Sequence, residues 1–127
     1  MARRPFIGPL QWQIFLETFG KTLNLLGLQH LALGTFNAAS PDLRLLAKPH
    51  ERPAGIYIWC LYAPGPLVAG MALFMQKMAT GLYEGVDIYS RTRTEAGVQF
   101  NHSAGFVQGC AIGDIETSDV WTFRRQP

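Results

Sequence analysis

Between Arg52 and Lys77 this chain carries no formal charge, and that constrains it more than any other feature. The stretch is near the length that crosses a bilayer, about 20 residues, yet the whole polypeptide has only 127 residues. One domain of that size has room for one modest core. Charged residues make up 16% of the chain, against roughly 25% in an average soluble domain, so little of its surface is kept apart from lipid or from other chains by charge.

Pro64-Gly65-Pro66 divides the uncharged stretch. One reading is a single kinked membrane segment, since spanning helices tolerate Pro and Gly. The reading preferred here makes 56–62 a short extended or helical piece, with Pro66 opening a helix at its first position. In that helix, over 66–84, Leu67, Met71, Phe74, Met78 and Leu82 form one apolar stripe and Ala69, Gly70, Ala72 and Ala79 keep the rest small. A helix apolar nearly all round must be covered by protein or lipid. Lys77 is placed to snorkel. Trp59, Tyr62 and Tyr83 resemble interfacial anchors, with packing in an ordinary core as the alternative.

A second apolar helix is expected over 10–33, after an extended lead-in at 1–9. Trp12, Phe15, Leu16, Phe19, Leu23 and Leu26 recur at three- and four-residue steps, opposite Gln13, Glu17, Lys21 and Asn24. Gly20, Gly27 and Gly34 fall seven residues apart. Each interior glycine costs a helix about 1 kcal/mol relative to alanine. Such small residues let another backbone approach closely, as between membrane helices; alternatively Gly34 is a helix stop. Residues 35–55 form a connector punctuated by Pro41, Pro49 and Pro53, where Ser40-Pro41-Asp42 can start a short helical turn. From Gly85 onward glycines interrupt the chain repeatedly. Residues 85–127 therefore read as an irregular or short-stranded C-terminal arm, laid along a partner with Trp121 and Phe123 as anchors or folded as a small hairpin. The fold class expected is mainly α, a single small domain with two apolar helices.

Chemistry is sparse. The net charge of +2 comes with no basic stripe, which argues against nucleic acid. Cys60 and Cys110 show no metal-ligand spacing and read as thiols or one disulfide. Asp114, Glu116 and Asp119 do not have the spacing of a calcium loop, and no glycine cluster carries the Lys-Ser/Thr of a phosphate loop. Asn101-His102-Ser103 fits the glycosylation sequon. His50 and His102 read as solvated or turn-bonded. His30, on an apolar helix, is the one candidate haem or quinone residue, against a helix-end hydrogen bond. Met1-Ala2-Arg3-Arg4 would suit a secretory leader, but Glu17 and Lys21 interrupt the apolar run behind it, so the start is expected to be retained, with both ends held by neighbours.

The expected function is therefore non-catalytic. It is an accessory, structural subunit of a multi-subunit membrane complex, by composition most like those of the mitochondrial inner membrane (respiratory chain or ATP synthase), contacting sister subunits and lipid and needing no cofactor or metal. Two alternatives stand beside it: a soluble α+β ligand-binding or virion structural module, and a small membrane anchor holding haem or quinone through His30.

Overall fold

A computed structural model describes residues 20–58, 84–92 and 94–123. Its elements are β1 (Gly20–Leu23), α1 (Leu25–Leu33), β2 (Gly55–Ile58), β3 (Ile88–Arg91), α2 (Glu95–Ala104), β4 (Val107–Ile112) and β5 (Ile115–Phe123), with a 3₁₀ turn at Leu43–Leu45. The described strands form one mixed sheet in the order β1-β2-β3-β5-β4. The central pair, β2 and β3, is parallel, with Tyr57 opposite Tyr89. The β1–β2, β3–β5 and β4–β5 pairs are antiparallel.

The expectation of a mainly α chain is overturned by this sheet. β2 reads Gly-Ile-Tyr-Ile and β3 Ile-Tyr-Ser-Arg, and β-branched and aromatic residues fit a pleated, half-buried surface. Both strands are buried nearly throughout, so each reads as a continuous apolar run without the alternation of a half-exposed strand. That is why length and lack of charge imitate a helix.

The helix expected over 10–33 is also corrected. Within its described part, Gly20–Leu23 is a strand and the helix begins only at Leu25. Lys21 therefore lies opposite Tyr57 on β1, not on a polar helix stripe with Glu17. Leu23 satisfies both a helical and an alternating period; pairing with β2 settles which one it follows. Residues 10–19 lie outside the described residues, as does 66–83 of the second expected helix.

No helix among the described residues is long and apolar enough to cross a membrane. α1 has 9 residues and α2 has 10, which at 1.5 Å each gives about 14–15 Å, half of the ~30 Å hydrocarbon layer. The start of the stretch expected to be a membrane segment, Ile56–Ile58, is paired in parallel with Ile88–Ser90, just beyond the other end of that stretch. The expected transmembrane segment and membrane location are withdrawn on these findings.

Side-chain alternation sorts the core into two faces. On one, Leu23, Tyr57, Tyr89 and Val120 meet Leu28, Leu31 and Ala32 of α1 in one cluster, with Ile112 at its margin. The other carries Ile56, Ile58 and Ile88, all almost fully buried, together with Trp121 and Phe123. There His102 of α2 stands edge-on to Trp121 at 4.9 Å, and Phe106 packs on Phe123 at 5.5 Å.

Candidate functional site

α1 is held to the sheet by backbone-level contacts at both ends. Asn24, in extended conformation, caps its start by accepting from the Gly27 N–H at 2.8 Å. The Asn24 side chain also donates to the carbonyls of Arg44 (2.7 Å) and Leu46 (3.3 Å), stitching helix, 3₁₀ turn and β1 together. Gly27 makes that junction sterically possible: a Cβ at this position would collide with the Leu45 carbonyl oxygen and press on Leu23 Cβ at 3.1 Å. At the other end Gly34 takes the left-handed conformation (φ 80°), its N–H reaching the last-turn carbonyls. Arg91 of β3 donates to the Leu31 carbonyl at 2.8 Å, a cation at the negative end of the helix.

This clamp fixes which side of α1 faces outward. Gly27, Leu28, Leu31 and Ala32 are buried, while Leu25, Leu26 and Leu33 are 59%, 48% and 61% exposed. The helix sequence, Leu-Leu-Gly-Leu-Gln-His-Leu-Ala-Leu, has only Gln29 and His30 as polar residues; both lie on the side the sheet leaves uncovered, beside the exposed leucines. Leu43, on the adjoining 3₁₀ turn that packs against α1, is 80% exposed. Four bare leucines on one small helix–turn unit form the clearest candidate functional surface among the described residues.

Beside it, Asp42 and Arg44 form an ion pair at 2.7 Å. The Arg44 side-chain hydrogen bond, aided by the Arg44 backbone N–H, lowers the Asp42 carboxyl to about 2. Because this pKa lies below the ordinary value, whatever the pair contributes is present above pH ~4 and fades as pH falls toward 2; both side chains are largely solvated, so its contribution to stability is small. Carboxyl-detected NMR titration is expected to find Asp42 near 2 and to return it to the ordinary range in Arg44→Gln. An unshifted Asp42 in the unsubstituted chain would show that the pair does not form.

The other residues expected to carry function are dispersed. His30 sits in the last turn of α1, its Nδ1 2.8 Å from Thr35 Oγ1, and that hydroxyl in turn donates to the His30 carbonyl. The imidazole is thus tied to the helix end. Of the evenly spaced glycines, Gly20 lies in β1, Gly27 admits the Leu45 backbone, and Gly34 ends α1. Trp121 and Phe123 are each 4% exposed inside this chain's own sheet, leaving no surface for a partner to grip. Trp59, Tyr62, Leu67, Met71, Phe74, Met78, Leu82 and Tyr83 lie outside the described residues, as does Cys60.

Among the described residues no group of three His, Cys, Asp or Glu side chains could hold a metal ion. Cys110 is a free thiol, raised above its ordinary pKa by burial, with Arg91 pulling the other way, so it is a poor nucleophile. Asn101 is 1% exposed, and neither its side-chain oxygen nor its nitrogen has a hydrogen-bond partner. The glycosylation sequon is therefore closed in the folded chain. Sequence reasoning missed both this buried amide and α2 itself, although Thr94 before Glu95 and Gly105 after Ala104 are ordinary cap signals.

The described fold defines a class, a small α+β protein with one mixed sheet. No protein-family model, curated protein or solved structure matches this chain.

Proposed function

We propose that this chain is a non-catalytic structural module that works by docking onto another polypeptide through the outward face of α1. The observation that carries this reading is the set of exposed leucines, Leu25, Leu26 and Leu33, on a helix already clamped rigid by Asn24, Gly27 and Arg91. A rigid helix face loses little entropy on binding, so its apolar area converts efficiently into affinity. The partner is another protein presenting a complementary apolar groove, as in helix-in-groove recognition. This is nearer to the alternative of an α+β ligand-binding or virion structural module than to a membrane subunit.

The paired substitution Leu26→Lys and Leu33→Lys tests it. Both side chains are surface-exposed, so thermal stability is expected to change by no more than about 0.5 kcal/mol. A photo-crosslinker at position 26 or 33, introduced in the cells that make the protein, is expected to trap one defined partner. One at position 48, in the connector, is expected to trap none, and the double lysine variant should lose the product. Equal trapping at all three positions, or none at 26 and 33, would remove this function.

A further inference from the structure

β4 ends the described sheet, with β5 on one side and no described strand on the other. Natural edge strands are usually blunted by lysine or proline. β4 reads Val-Gln-Gly-Cys-Ala-Ile and has neither; Val107, Gln108 and Ala111 are exposed. Its pairing shifts register at Gly109 (φ 102°): between Gln108, opposite Trp121, and Cys110, opposite Thr117, the bulged residues are those of β5. Beyond that bulge Cys110, Ala111 and Ile112 resume regular pairing with Thr117, Glu116 and Ile115.

The carboxylate at this edge is Glu116, with Asp114 and Asp119 near it in sequence, while the cation that reaches the edge among the described residues is Arg91, acting on Cys110 from β3. From Thr94 to Phe123 there is no Lys or Arg, but there are Glu95, Asp114, Glu116 and Asp119. Among the described residues, none of these carboxylates has an ion-pair partner. An open depression of about 380 Å³ lies at the bulge, lined by Gly109, Cys110, Ala111, Glu116, Thr117 and Ser118. Ala111 is directly opposite Glu116, so their side chains share one face of the sheet. A strand added beside β4 would place its residue opposite Ala111 two strand spacings, about 10 Å, from Glu116. A lysine or arginine there would lay its stem across the small Ala111 side chain and bring its charge to the Glu116 carboxylate.

We propose that β4 accepts an extended, basic peptide segment as an added strand, with a cationic side chain seated over Ala111 against Glu116. The main chain supplies the pairing and the depression supplies the selectivity, as in strand-addition recognition. Charge selects this occupant over a second copy of β4, which would bring an equally acidic hairpin to the edge. The inference stands on the far side of the sheet from β1 and does not depend on the leucines of α1.

The probe is a fluorescent peptide of alternating threonine and valine with lysine at its centre and ends, compared with the same peptide carrying glutamate there. Anisotropy is expected to show the lysine peptide binding about tenfold or more tightly than the glutamate peptide, and weakening with salt. Hydrogen exchange should slow at Val107–Ile112. Ala111→Leu, which fills the depression, should lose most of the affinity, and Glu116→Gln should flatten the salt dependence; both positions are exposed, and an unchanged melting temperature verifies that each variant folds. Equal affinity for the two peptides, no binding, or protection of β4 that appears with protein concentration alone would overturn the assignment, the last by showing a second copy at the edge.

Discussion

Gly27→Ala is expected to lower the melting temperature by roughly 6–12 °C, the reverse of what a glycine-to-alanine change does in an ordinary helix. On propensity alone the substitution would stabilise α1 by about 1 kcal/mol. Against this, the new methyl collides with the Leu45 carbonyl oxygen and sits 3.2 Å from the Leu45 carbonyl carbon. Those are backbone atoms, and they have little freedom to yield. The same Leu45 oxygen accepts from the Asn24 N–H at 3.1 Å, so displacing it breaks the joint that starts the helix. Overpacking a tight site costs about 1–3 kcal/mol, and a backbone clash belongs at the upper end, leaving a net loss of about 2 kcal/mol. For a chain of this length each kcal/mol is worth roughly 3–6 °C. Thermal unfolding followed by circular dichroism measures it. A melting temperature that rises would mean that α1 and the 3₁₀ turn do not touch at Gly27.

Asn24→Ala is expected to cost about 2 kcal/mol through the same junction by different chemistry. It removes the helix cap to Gly27, worth about 1 kcal/mol, and the two donations to Arg44 and Leu46, about 0.5–1 kcal/mol each in this half-exposed setting. Asn24→Asp separates the two contributions. A carboxylate still accepts from the Gly27 N–H and suits the positive end of the helix, but it cannot donate to either carbonyl. Its loss should be about half that of alanine in urea melts. Faster exchange is expected at the Ala47 N–H, which donates to Thr22 at 2.9 Å and lies just beyond the stitch. Aspartate equal to asparagine would show that the side-chain donors contribute nothing; alanine within 0.5 kcal/mol of the parent would remove the junction itself.

Both predictions centre on residues whose part was only half legible in the sequence. Gly27 stood out by its spacing from Gly20 and Gly34, and close backbone approach was one reason considered for it. What approaches is the connector's own Leu45, a neighbour no spacing rule identifies. Asn24 was read as one member of a polar helix stripe, whereas it closes β1 and caps α1. The error has a physical origin. Over 20–33 the apolar residues are dense enough to satisfy period 2 and period 3.6 together, so pattern alone cannot find the joint between strand and helix. A side chain that caps a helix and donates to a loop twenty residues away leaves no local trace beyond being an asparagine.

The C-terminal third failed differently. Its glycines were counted as breaks, and four of them take left-handed conformations: Gly85 in the turn before β3, Gly105 after α2, Gly109 in β4 and Gly113 in the β4–β5 turn. These glycines shape regular structure, and the β4–β5 pair is nearer to the short-stranded or hairpin form of the expected arm than to its irregular form. Trp121 and Phe123 were rightly noticed as bulky apolar residues, and they lie in the sheet core. Asn101, buried with an unpartnered amide, gave no signal beyond a glycosylation pattern that its burial contradicts.

By itself the sequence determined the composition of the core, the shortage of surface charge, and the acidic run without bases from Thr94 to Phe123, because these are sums over residues and need no partner. It also carried the caps at Thr94, Gly105 and Gly34, since capping is a local bond between near neighbours. Only the tertiary structure decided that Gly55–Ile58 and Ile88–Arg91 are parallel strands, that α1 shows three leucines to the outside, and that β4 ends the described sheet. Each of those depends on which distant segments pair, and a strand's hydrogen bonds, unlike a helix's, are made with residues far along the chain.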